Sequence, residues 1–164
     1  VDTLAQVKHL MMNGMSAAER ETCIGAMIHD FGETAFRDRF QEDGTFAIAS
    51  WDELRRVAAA GVEILSHGMD HAPHTDSLSD RELQRDVADS RARIAEMTGR
   101  APSGYALPGG VGGGRSHRAV AGAGYGFCLT TQTGRVRRDS AVFALPRIDA
   151  EYPLDVLRWH MLAL

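Results

Sequence analysis

The sequence predicts an α/β fold with a mostly parallel sheet, and two patterns carry that expectation. From residue 50 onward, helical and extended segments alternate in the order helix, strand, helix, strand, helix, strand, strand, helix. Such alternation builds a parallel sheet with helices packed outside it. In addition, His67, Pro108, Gly109, Arg147 and Asp149 all fall at or just after expected strand ends. Reactive loops of parallel α/β folds follow the carboxyl ends of the strands, so several strands would bring their chemistry to one rim.

Each element has a local reason. Asp2 to Met12 reads as a short helix with Leu4, Val7, Leu10 and Met11 on one side, ended by Asn13-Gly14. Ser16 and Glu19 form a capping box for a second helix that turns Ile24, Met27 and Ile28 inward. Residues 30 to 49 carry no clear period. Ser50 and Glu53 cap a helix that runs to Ala60 and stops at Gly61. Val62 to Leu65 is a short strand ending at Ser66-His67. Ser79 and Glu82 cap the next helix, where Leu83, Val87, Ile94 and Met97 recur at helical spacing before Gly99. Strands follow at Gly104 to Leu107, Tyr125 to Thr130 and Val142 to Ile148, with a short helix from about Ser116 to Ala121. A last helix begins near Pro153, where proline suits the first turn.

The chain has 164 residues and is 44% hydrophobic, enough for one domain with a core. Its net charge of -4 is unlike the basic surplus of a nucleic-acid binder. Cys23 and Cys128 form no close pair and are expected as buried free thiols. No stretch is apolar for about 18 residues, so no membrane span is expected. The opening Val1-Asp2-Thr3-Leu4 lacks the layout of a signal peptide and begins without Met, so the chain is expected to start inside a longer protein. Cytoplasm and cell envelope both stay open as its compartment.

The chemistry centres on Ser66-His67-Gly68-Met69-Asp70-His71. Two imidazoles four residues apart can meet on one face of a helical turn, and neutral ring nitrogens suit zinc, cobalt, nickel or manganese. A bare H-x-x-x-H also arises from two unconnected loop histidines. Asp70 reads as a solvated loop acid, and His74 as a bystander. The glycines from Gly109 to Gly114 lack the Gly-Lys-Ser/Thr ending and the G-x-G-x-x-G frame, so no nucleotide site is expected there.

The wider context of the histidine pair is specific. Trp51 to Leu54, then Gly61-Val62-Glu63-Ile64-Leu65-Ser66-His67, His71 and Leu78-Ser79 resemble the polysaccharide deacetylase family, carbohydrate esterase family four. Tyr105-Ala106-Leu107-Pro108-Gly109-Gly110, Ala123-Gly124-Tyr125, Thr130-Thr131 and Leu145-Pro146-Arg147-Ile148 are similar to later segments of its L-P-R-I branch. The resemblance spans about residues 48 to 150.

It implies a distorted (β/α) barrel, incomplete on its N-terminal side, with residues 1–47 as a helical lead-in or insertion and 48–164 as barrel strands and helices of one domain. It also implies a divalent metal, zinc first, and hydrolysis of an N-acetyl group on an amino sugar. By that resemblance His67 and His71 are the histidine ligands, and Gly109 offers a backbone N–H to an oxyanion. Arg147 orients a catalytic carboxylate and Asp149 shares that role. Pro108, Gly110 and Tyr105 are the candidate substrate contacts, although for Tyr105, as for Trp159, packing is the more usual role of such an aromatic.

The departures define what is missing. The family's first motif resembles T-F-D-D-G and supplies a general base and a third metal ligand. The nearest run here, His29-Asp30-Phe31-Gly32, has one acid and no strand leading into it. Gly68 stands where Ser or Thr is usual. The final histidine motif is absent, and His160 lies inside an expected helix. Three readings stay open. In one, an upstream segment completes the barrel and the site. In another, a partner chain of a homo-oligomer or an unplaced acid such as Asp30 or Asp43 does so. In the third, a non-catalytic relative binds a glycan or amide. A deacetylase acting on a small metabolite is the remaining enzymatic alternative.

Overall fold

The structure is a computed structural model that describes residues 6–7, 9–11, 14–32, 47–148 and 153–163. Two compact units divide the chain, Val1–Val62 and Glu63–Leu164.

In the first unit, α1 spans Ala17–Phe31 and α2 spans Trp51–Ala59. Both start as the sequence indicates. Ser16 accepts from the Glu19 amide while the Glu19 carboxylate takes the Ser16 amide, and Ser50 and Glu53 repeat the arrangement. Each box satisfies amides that the first helical turn leaves without intrahelical partners. The expected inward face of α1 does not bury. Ile24 and Met27 remain 42% and 45% exposed, and Ile28 is half-buried. An apolar stripe needs a surface to pack on, and among the described residues of this unit none is buried.

The second unit holds the core. Helix α3 spans Asp80–Thr98, capped by Ser79 and Glu82 and closed by Gly99 in the left-handed conformation. Strand β1 is Gly104–Ala106, α4 is Gly114–Gly122, β2 is Phe127–Thr133, β3 is Leu145–Arg147 and α5 is Leu154–Ala163. The sheet runs β1-β2-β3, and both pairings are parallel, as the alternation predicts. The core gathers Leu83 and Val87 of α3, Tyr105 and Leu107 of the β1 region, Val120 of α4, Tyr125 leading into β2, and Cys128 within it.

Two expected strands shrink. Val62 to Leu65 is not extended in a ladder. Only Ser66 pairs, donating its N–H to the Gly104 oxygen at 3.1 Å and accepting from the Ala106 N–H at 2.8 Å. Along the 142–148 segment, residues Val142–Ala144 form a 3-10 turn, so the strand starts at Leu145. Cys23 and Cys128 are both free thiols, the second buried and the first half-buried. Among the described residues, no helix is long and apolar enough to cross a membrane.

Candidate functional site

His67 leaves the sheet directly after the Ser66 bridge. Its Nδ1 lies 2.8 Å from the Ala106 carbonyl oxygen. A carbonyl only accepts, so Nδ1 carries the proton and Nε2 keeps its lone pair. Ligating histidines are commonly fixed in this way through the nitrogen that does not bind metal.

The chain then folds tightly back. Gly68 has φ +85, and a Cβ there would stand 2.7 Å from Asp86 Oδ2 and 3.1 Å from the Tyr105 hydroxyl. The position therefore needs glycine for both conformation and space. His71 is the one described non-glycine residue with positive φ, at 52°. This turn brings the two imidazoles together edge to face, with ring centroids 4.8 Å apart. Both histidines are exposed, so the pair opens to solvent.

Beneath the pair lies a buried polar network. Asp86 Oδ1 accepts hydrogen bonds from the Met69 and Asp70 amides at 2.9 and 3.0 Å. The Tyr105 hydroxyl donates to Asp86 Oδ2 at 3.4 Å and lies 3.0 Å from His74 Nε2. Burial pulls the His74 pKa down to about 4; Asp86 opposes that shift, while Arg115 and His67 reinforce it. Burial, with Asp86 beside it, pushes the Tyr105 hydroxyl up, so it stays protonated. Arg115 of α4 pins the loop that follows, donating to the Thr75 and Leu78 carbonyls and pairing with Asp80.

The loop after β1 supplies the next part. Pro108 is buried, and Gly109, with φ 61, is exposed. The Gly110 and Val111 amides are spent on the Leu107 and Pro108 carbonyls, while Gly109 enters neither bond. Gly110 has φ +69, and a Cβ there would collide with the Thr131 side chain. Thr131 of β2 thus rests directly on this loop. At the end of β3, Arg147 Nε donates to the Thr130 carbonyl at 2.7 Å. Asp149 and Asp43 lie outside the described residues.

The parallel pairing brings His67, the Pro108–Gly110 loop and Arg147 to the same end of the sheet. Tyr105 takes the packing role and not that of a substrate contact. It is wholly buried and reaches the site only through its hydroxyl, because the α3–β1–β2 core closes around its ring. Among the described residues no group of three or more His, Cys, Asp and Glu is arranged to hold a metal ion. Asp30, the nearest acid to the missing motif, sits exposed in the last turn of α1 beside His29.

Sequence reasoning overlooked Asp86 and the close seat of Thr131. Asp86 carried a readable signal, a carboxylate on the stripe Leu83, Asp86, Val87 and Ser90 that α3 buries. A charge on a buried stripe asks for partners.

The polysaccharide deacetylase family model matches residues 25–128. Solved structures with the same fold include the Streptococcus pyogenes deacetylase PplD in complex with acetate. It has TM-score 0.59 and 19% identity, covering 66% of this chain and 48% of that one. A de-N-acetylase from Aggregatibacter actinomycetemcomitans gives TM-score 0.58 and 18% identity, covering 69% and 53%. The BpsB deacetylase domain from Bordetella bronchiseptica gives 0.54 and 20%, covering 62% and 48%. At these identities the likeness is one of fold. The chain spans about half the length of these structures. No curated protein matches it.

Proposed function

Since the chain belongs to the polysaccharide deacetylase family, we propose that it carries the metal-binding half of a site that hydrolyses the N-acetyl amide of an amino sugar or glycan. The observation behind this reading is the His67–His71 pair, two exposed imidazoles 4.8 Å apart on a loop fixed at a strand end. Two imidazole donors fit half of a tetrahedral zinc set; cobalt, nickel and manganese are alternatives. In this reading His67 binds through Nε2, because Nδ1 is held by Ala106.

A bound divalent cation supplies Lewis acidity toward the amide carbonyl and toward water. The chain's own residues do the rest. The exposed Gly109 N–H donates to the oxygen that gains charge as the carbonyl is attacked. Pro108 and Gly110 shape the loop that presents it, and substrate lies over that loop. Arg147, tethered to β2, orients a carboxylate at the rim, and Asp149 shares that task. A carboxylate base must remove the proton of the attacking water. That base and the third ligand come from outside the described residues, whether from this chain, a segment upstream of it or a partner copy. The same addition would extend the open sheet toward a distorted (β/α) barrel, with residues 1–47 as lead-in and 48–164 as barrel.

The lack of a third ligand among the described residues favours one second reading, a glycan- or amide-binding relative without turnover. Acetate release from an N-acetylglucosamine oligomer with added zinc separates the two. The enzyme reading expects release by this chain or by a version extended upstream. Oligomer binding without release in both versions would defeat it and leave the binding module.

A further inference from the structure

Asp86 is 7% exposed, yet it faces only neutral donors among the described residues: the Met69 and Asp70 amides and the Tyr105 hydroxyl. An asparagine could accept and donate in the same places. A buried carboxylate costs far more to desolvate than an amide, so its charge has a use when it is kept. Hydrogen bonds to an ionised acceptor are also roughly twice as strong as neutral ones. The amides it grips are the two between Gly68 and His71, at the point where the backbone reverses and His71 takes its positive φ. On the other side, Gly68 leaves no room for a Cβ against Asp86.

We infer that Asp86 is the positioning residue of the histidine loop: its carboxylate holds the Met69 and Asp70 amides and so sets where His71 stands relative to His67. Asp86 itself does not touch the metal. This inference rests on His67 and His71 as ligands. The backing is layered, since the Tyr105 hydroxyl donates to Asp86 from behind the loop and His74 in turn meets that hydroxyl. Groups hydrogen-bonded directly to a ligand change metal affinity about 10–100-fold when altered; Asp86 acts one step further out, through the backbone beside His71, so the lower end of that range is expected.

The test uses Asp86→Asn, which keeps the shape and removes the charge. Zinc affinity is measured by competition with a chromogenic chelator, and amide hydrogen exchange is followed without metal. The expected result is about 10-fold weaker zinc binding, with faster exchange at Met69 and Asp70 while Leu83, Val87 and Val120 keep their protection. Unchanged zinc affinity overturns the inference, as does unchanged exchange at the two loop amides. Protection lost equally across the core also overturns it, because Asp86 would then serve the fold and not the loop. His67→Ala in parallel keeps the two failures apart. If that variant still binds zinc, the ligand assignment fails; if it loses zinc while Asp86→Asn behaves as wild type, only the positioning role fails.

Discussion

His67 Nδ1 sits 2.8 Å from the carbonyl oxygen of Ala106, the last residue of the strand that pairs with Ser66. The contact makes the His67 ring an extension of the sheet. Its ring is anchored by the same strand that accepts the Ser66 amide, so its free nitrogen is aimed before any ligand arrives. Preorganisation of this kind lowers the ordering cost of binding.

This contact predicts a single tautomer. Long-range proton–nitrogen correlation spectra of the metal-free protein at neutral pH should show His67 protonated at Nδ1. A spectrum showing the proton on Nε2 would mean that the ring does not present the nitrogen assigned to the metal.

Gly68 predicts a coupled loss of stability and binding. Alanine there must adopt φ +85 and crowd Asp86 Oδ2 at 2.7 Å. Gly68→Ala should lower unfolding free energy by about 1–3 kcal/mol and weaken zinc binding together with it. Denaturant unfolding and a zinc titration check both. A variant as stable as wild type would show that the loop relaxes without cost.

His74 predicts an acid-labile fold. Burial keeps its imidazole neutral down to about pH 4, against an ordinary value of 6.5. The unfolded chain therefore binds more protons in this window, and the folded state loses stability as pH falls from about 6.5 to about 4. Below that range His74 contributes no further slope. The shift sets an upper limit of about 3 kcal/mol for the loss. His74→Gln keeps a polar partner for Tyr105 and does not titrate. Chemical denaturation between pH 7 and 4 should give a flatter profile for this variant than for wild type. Parallel profiles would remove His74 as a cause.

Much of the frame was legible in the sequence because its signals are local. Three Ser-x-x-Glu boxes start three helices where they stand in the structure. Gly99 ends α3, and the alternation after residue 50 yields a parallel sheet. What depended on a distant partner was harder to read. Val62 to Leu65 has strand composition, but the described ladder offers a neighbour only at Ser66. Ile24 and Met27 sit at core spacing, yet their exposure depends on what faces α1. At the site, the histidine pair followed from spacing and context, whereas Asp86 lies 16 and 17 positions along the chain from the amides it holds. For Tyr105 a packing role and a place in a substrate groove were both open, because its burial depends on α3 and β2 together.

The proposed site stands or falls with divalent-metal binding by His67 and His71. Equilibrium dialysis of the full chain against zinc, followed by metal analysis, tests it most directly when wild type, His67→Ala and His71→Ala are run side by side. Wild type should retain zinc and both variants should lose it, with their folds intact by circular dichroism. Zinc retained by His67→Ala, or none bound by wild type at saturating zinc, would contradict it.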